Sequence, residues 1–190
     1  MTVKVIGAGL AGSEAAWQLA KRGIGVELYE MKPEKYSPAH RYEGFAELVC
    51  SNSLKAMRLN SAAGLLKAEM KAMGSLVVRC AEETAVSAGG ALAVDRHGFA
   101  NLVTERIRSH PNITVIPGEV TAIPEGEVVV ASGPLTSDAL AETLETLLGE
   151  GCGLHFYDAA APLVSAARVD MESPGRCPAA AAPRRRATGL

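Results

Sequence analysis

The feature that most constrains this chain is the run VKVIGAGLAGSEAAWQLAKRGIGVELYE, residues 3–30. Val3-Lys4-Val5-Ile6 reads as a short buried strand, and Gly7-Ala8-Gly9-Leu10-Ala11-Gly12 follows at once. An apolar-periodic helix runs from Ser13 to about Lys21. Gly23 stops it, and Val26-Glu27-Leu28-Tyr29 reads as a second strand ending at Glu30. Strand, glycine turn, helix, strand and acid stand in the order of a dinucleotide-binding βαβ unit, and each has a physical task. Gly7 permits the tight turn, Gly9 lets the backbone approach a pyrophosphate, and Gly12 lets helix and strand pack closely. The helix N-terminus offers unpaired N–H groups and a positive dipole end to phosphates. Glu30 stands where a carboxylate accepts ribose hydroxyls. It would repel a 2′-phosphate, so FAD or NAD is favoured over NADP.

A chain of 190 residues is long enough for a domain with a real core, and its low aromatic content leaves that core to Val, Leu, Ile, Ala and Met. No apolar run approaches the roughly 20 residues that span a bilayer, and the N-terminus does not read as a signal peptide. A cytoplasmic location without membrane contact is the expectation. Cys50, Cys80, Cys152 and Cys177 are widely spaced, with no CxxC pair and no Cys/His cluster, so neither a metal site nor a disulfide framework is indicated. Residues 168–190 hold five Arg against two acids, and the first 167 residues hold 14 basic and 19 acidic ones. Bulk charge therefore does not announce a nucleic-acid binder; that would need a local basic patch.

Pro33 and Pro38 exclude regular helix after Glu30, and the loop that follows carries Lys32, Lys35, His40 and Arg41. It reads either as a solvated surface loop or as a wall of the ligand site, since open α/β sheets bind ligands beyond the carboxyl ends of their strands. From about Asn60 to Met73 the spacing is helical, with Ala63, Leu66, Met70 and Met73 on the inward face and Lys67 away from it. Residues 75–81 read as a strand, 85–90 as a turn and 91–95 as extended. Arg96 to Ser109 reads as a helix with Phe99, Val103 and Ile107 inward, and Asp95 and Arg96 as an ion pair or a helix cap. Strands follow at Ile113–Ile116 and Glu127–Ala131, then a helix from Ala139 to Leu148 capped by Ser137 or Asp138, and an extended Leu154–Asp158. This alternation predicts a doubly wound parallel α/β sheet of FAD/NAD-binding, Rossmann-like type.

Several segments together are specific beyond the glycine turn. GAGLAGSEAAWQLAKRG, VELYEMKPEKYSPAH, FAELVCSNSLK, GLLKAEMKAMGSLV, ALAVDRHGFA and VVVASGPLTSDAL occur here in order over residues 1–167. They resemble the bacterial folate- and FAD-dependent tRNA (uracil-5-)-methyltransferase family (TrmFO). The related GidA/MnmG tRNA-modifying flavoproteins share the glycine turn but lack the ELVCSNSL stretch. The resemblance implies FAD as cofactor, methylenetetrahydrofolate and NAD(P)H as co-substrates, and tRNA as partner. Its reaction delivers one carbon to C5 of a T-loop uridine, giving 5-methyluridine. Uracil C5 becomes nucleophilic once a thiolate adds at C6, so the family needs cysteine chemistry close to a flavin.

The resemblance implies Cys50 as a catalytic residue, with Ser51-Asn52-Ser53 as possible caps of a helix beside it. It implies FAD contacts at Gly7, Ala8, Gly9, Leu10, Ala11, Gly12 and Glu30, at Val120 through the main chain, and at Gly133 in a second flavin-proximal turn. A GidA-like tRNA-modifying flavoprotein and a non-catalytic FAD-binding module are the alternative readings. The match fades after YDAAAPLVSA. Residues 1–167 are therefore expected to be the N-terminal part of an FAD-binding domain, and 168–190 a low-complexity tail, disordered or frameshifted. The same reading expects the family's second functional cysteine and its tRNA-contacting insertion to be missing, Cys177 to be no substitute, and the fragment to fold poorly, hold FAD weakly and transfer no methyl group.

Overall fold

The structure, a computed structural model, describes residues 1–149. Strand β1 (Thr2–Ile6) leads through the glycine turn into helix α1 (Leu10–Lys21) and back to strand β2 (Gly25–Glu30). The helix starts three residues earlier than its apolar period suggests, because Gly9 is its N-cap. Later strands β6 (Ile113–Pro117) and β7 (Glu127–Val130) complete a sheet of order β6-β2-β1-β7, parallel throughout. Val5 stands opposite Leu28 on one side and Val129 on the other. The chain steps outward from β1 through β2 to β6 and then crosses back to β7 on the other side of β1, so the strand order reverses there. Such a switch point opens a crevice at the carboxyl ends of the strands, where the glycine turn lies.

Small residues bring α1 close to the sheet: Gly12, Ser13, Ala16 and Ala20 are its buried face. Helix α4 (Arg96–Ser109) has the predicted bounds and buries Phe99, Val103 and Ile107 completely. Its N-cap is Asp95, whose Oδ1 accepts the Gly98 N–H at 2.5 Å, so the cap reading holds. Helix α5 (Asp138–Leu148) begins after Ser137, which makes no side-chain cap bond.

Three expectations fail. Residues 75–81 are not a strand: Leu76–Glu83 is helix α3. Val77 and Val78 favour extended backbone locally, but the first turn is capped twice. Ser75 Oγ accepts the Val78 N–H at 3.1 Å, and the Glu14 carboxylate of α1 accepts Ser75 Oγ–H at 2.7 Å and Val77 N–H at 3.0 Å. Helix α2 (Ala62–Ala72) forms, with Ser61 as its N-cap and Gly74 at φ +73° just beyond its end, but its buried face is shifted from the expected one. Leu66 is 55% and Met73 64% exposed, whereas Gly64 and Lys67 are buried. A Cβ on Gly64 would stand 1.9 Å from the Arg58 carbonyl oxygen, and Lys67 Nζ donates to the Leu54 carbonyl at 2.7 Å. Burial and the nearby Lys55 lower the Lys67 pKa. Close backbone contact and a lysine stem thus orient α2. Finally, Ser51-Asn52-Ser53 start no helix. They lead into strand β3 (Ser53–Ala56), which joins β5 (Ala91–Val94) and β4 (Ala85–Val86) in a small antiparallel sheet of order β3-β5-β4.

The expectations for Leu154–Asp158, Cys152, Cys177 and the 168–190 tail lie outside the described residues. Among the described residues no helix is long and apolar enough to cross a membrane.

Candidate functional site

The glycine turn is built as its sequence requires. Gly7 sits at φ +96°, and a Cβ there would meet the Ala131 carbonyl oxygen at 2.9 Å. At Gly12 a Cβ would stand 1.8 Å from the Gly7 carbonyl oxygen, so the first turn of α1 can rest on the strand end only as glycine. A Cβ at Gly9 would meet nothing within 4 Å. That open space belongs to a cleft lined by the glycine turn, Glu30 and the 118–120 segment. The first-turn amides of α1 have no acceptor within the helix, and no acidic residue stands in that turn. This cradle, which a side chain at Gly9 would fill, fits a phosphate group.

Glu30 closes one side of the cleft. It is 7% exposed, and its carboxylate accepts the Ala8 N–H at 2.8 Å and the Lys32 N–H at 3.0 Å. The loop after β2 is a wall of this cleft, contributing Met31, Lys32, His40 and Glu47. Lys32 is buried; its ammonium donates to the carbonyls of Tyr42 (3.1 Å) and Gly44 (2.6 Å) and stands 3.7 Å from Glu47 Oε2. His40 Nδ1 lies 2.6 Å from Ser37 Oγ. Burial and the Lys32 ammonium lower its pKa, against an opposing pull from Glu47 and Glu30.

The opposite wall comes from Gly118, Glu119 and Val120 and from the 132–137 turn. Gly118 N–H donates to the Glu30 carbonyl at 3.0 Å, which brings the segment after β6 against the end of β2. Glu119 pairs with Lys35 at 2.7 Å; hydrogen bonds from Lys35 and Ser137 hold its carboxyl below the usual carboxylate range. Ser132 Oγ and Thr136 Oγ1 lie 2.7 Å apart at the lip.

Of the residues expected to bind cofactor, Gly7, Ala8, Gly9, Glu30 and Val120 line one cleft. Gly12 supports it from behind. Leu10 and Ala11 instead line a separate apolar groove with Leu54, Leu66, Met70 and Val77. Gly133, at φ +71°, shapes the 132–137 turn without lining the cleft. Cys50 is an exposed free thiol outside the lining of both cavities, whereas Cys80 is buried, and burial raises its pKa. Glu47 was not foreseen as part of the site. Its signal lay in the Phe45-Ala46-Glu47-Leu48 run, where buried apolar neighbours bracket one acid. Among the described residues no cluster of His, Cys, Asp or Glu could hold a metal ion.

A family model described as glucose inhibited division protein A matches residues 2–185. The chain belongs to the GidA family. Within it, this GidA-family chain is similar to proteins called methylenetetrahydrofolate–tRNA-(uracil-5-)-methyltransferase TrmFO. Identity is 61% over 171 residues with those of Bacillus licheniformis and Bacillus subtilis, and 63% over 171 residues with that of Pelotomaculum thermopropionicum. Each alignment covers 90% of this chain and 39% of the relative, so the chain spans about two-fifths of the length of these curated relatives. The comparisons bear out the resemblance drawn from YEMKP and ELVCSNSL. Among solved structures, Aquifex aeolicus GidA superposes with a TM-score of 0.57 at 17% identity, covering 70% of this chain and 25% of that one, which supports the shared fold.

Proposed function

We propose that this chain carries the nucleotide-binding part of an FAD-dependent methylenetetrahydrofolate–tRNA (uracil-5-)-methyltransferase. The observation that carries the reading is the 61% identity with TrmFO sequences over 171 residues. The cleft fits the cofactor in chemistry. The Gly7–Gly12 turn and the free amides of α1 would hold a pyrophosphate, Glu30 a ribose, and the main chain at Val120 an adenine. Ser132 and Thr136 supply hydroxyl groups at the lip. Once bound and reduced, with NAD(P)H as the upstream reductant, FAD would supply the two electrons that take the transferred carbon to a methyl group. Cys50, exposed on the segment entering β3, is the candidate functional thiol, free to meet a uridine brought to it. A cytoplasmic location accompanies this reading, because tRNA and folate are the substrates.

The test is a segment exchange. Residues 1–149 replace the residues of Bacillus subtilis TrmFO that align with them, and the hybrid is given FAD, methylenetetrahydrofolate, NADH and tRNA lacking 5-methyluridine. The reading expects 5-methyluridine in the T-loop, and its loss when Cys50→Ala is introduced. A hybrid that holds FAD but makes no 5-methyluridine contradicts the reading.

A further inference from the structure

Among the described residues that line the cleft, only Lys32 and His40 carry nitrogen in their side chains. The Lys32 ammonium donates to the carbonyls of Tyr42 and Gly44 and faces Glu47. The hydroxyl hydrogens of the lining are also spent within the protein. Thr136 Oγ1 donates to the Gly133 carbonyl at 2.7 Å, so Ser132 Oγ–H donates to Thr136 Oγ1, and Ser137 donates to Glu119. His40 differs. Ser37 Oγ accepts the N–H groups of Ala39 and His40, each at 3.4 Å, which leaves its own hydrogen for His40 Nδ1 at 2.6 Å. Nδ1 is therefore the acceptor, and the neutral ring carries its proton on Nε2. That N–H has no partner among the described residues and is not buried.

The cleft thus holds a single uncommitted side-chain donor among its described lining, fixed in orientation by Ser37. Its remaining free donors are the first-turn amides of α1, which suit an anion. We infer that His40 Nε2–H donates to the pyrophosphate of the bound dinucleotide, as the side-chain partner of the backbone amides at the glycine turn. This rests on the reading of the cleft as an FAD site and adds a binding residue to it. A pH dependence follows. Glu30, Lys32 and Glu47 act on His40 from its own side of the cleft, and Glu119, paired with Lys35, stands on the opposite wall. Burial and the Lys32 ammonium hold the imidazole pKa below 6.5 in the ligand-free protein. A phosphate oxygen beside Nε2 favours the protonated ring and raises that pKa. FAD binding then takes up a proton between the two values, so affinity rises as pH falls.

The test uses the full chain with FAD, whose pyrophosphate does not titrate between about pH 8 and 5.5, and with adenosine as a phosphate-free competitor. The native chain is expected to bind FAD more tightly as pH falls across that range. His40→Phe, which has no donor, is expected to weaken FAD about tenfold at neutral pH, to bind adenosine as the native chain does, and to lose the pH slope. His40→Gln keeps an N–H donor but takes up no proton, so it is expected to lose the slope with a smaller loss of affinity. A native chain whose FAD affinity does not rise on acidification overturns the inference, a result that needs no variant. So does a slope that persists in both variants, or a His40→Phe loss that is equal for FAD and adenosine. A native chain that binds no FAD overturns the FAD reading and this inference together. FAD binding that is indifferent to His40 overturns this inference alone.

Discussion

Glu30 Oε2 accepts the backbone N–H of Ala8 at 2.8 Å, across 22 residues of sequence. The acid at the end of β2 thus holds the glycine turn at the end of β1, and the two halves of the motif form one hydrogen-bonded unit. Replacing Glu30 with Ala leaves the N–H groups of Ala8 and Lys32 without acceptors. Such a buried loss costs about 1–3 kcal/mol. Thermal unfolding of Glu30→Ala is expected to show that loss, and flavin titration is expected to show binding weakened well beyond tenfold.

Gly9 and Gly12 separate binding from stability. A side chain at Gly12 collides with the Gly7 carbonyl, so Gly12→Ala is expected to destabilise the fold by about 1–3 kcal/mol or more. Gly9→Ser introduces a good N-cap residue into open space, and stability is expected to stay within about 0.5 kcal/mol. The new hydroxyl occupies the cradle, so FAD affinity is expected to fall. Equal melting changes in the two variants would contradict this division.

The fold was legible where local pattern and tertiary contact agree. β1, α1 and β2 follow from the glycine motif, and α4 from a single apolar stripe with an Asp95 cap. Helix α3 was not legible, because half of its N-terminal cap comes from Glu14, 61 residues before Ser75. The shifted face of α2 was hidden for a related reason: Gly64 and the stem of Lys67 supply the contact that Leu66 and Met73 seemed to promise. In the cleft, Gly7, Gly9 and Glu30 follow from the glycine motif and Val120 from the resemblance, whereas Gly133 stays outside the lining. Cys50 could be picked out by resemblance, but its position outside the cleft depends on the path of the 31–52 loop from β2 of one sheet to β3 of the other.

The cross-helix cap makes its own prediction. Glu14→Ala removes the acceptor of Ser75 Oγ–H and Val77 N–H, and is expected to cost about 1–3 kcal/mol. Hydrogen exchange is expected to rise first at the amides of Leu76 and Val77. Ser75→Ala removes a partner in the same network, so the double variant is expected to lose less than the sum of the two single losses.

His40 sets a pH dependence. Its folded pKa is below the ordinary 6.5, so the unfolded chain binds more protons between those two values. The stability from its neutral, half-buried form is complete above pH 6.5 and is lost as pH falls through the folded pKa. Chemical denaturation at successive pH values from 8 downward is expected to show a decline beginning near 6.5, and His40→Gln is expected to flatten it. An unchanged slope in the variant would assign the decline to another group.

The central claim is that the cleft between the glycine turn, Glu30 and Val120 takes FAD. The most direct measurement is titration of the full chain with FAD, followed by flavin fluorescence, with ADP as competitor and Gly9→Ser in parallel. The account predicts saturable one-to-one binding, displaced by ADP and weakened at least tenfold in the variant. Absence of saturable binding, or equal binding by the native chain and Gly9→Ser, would contradict it.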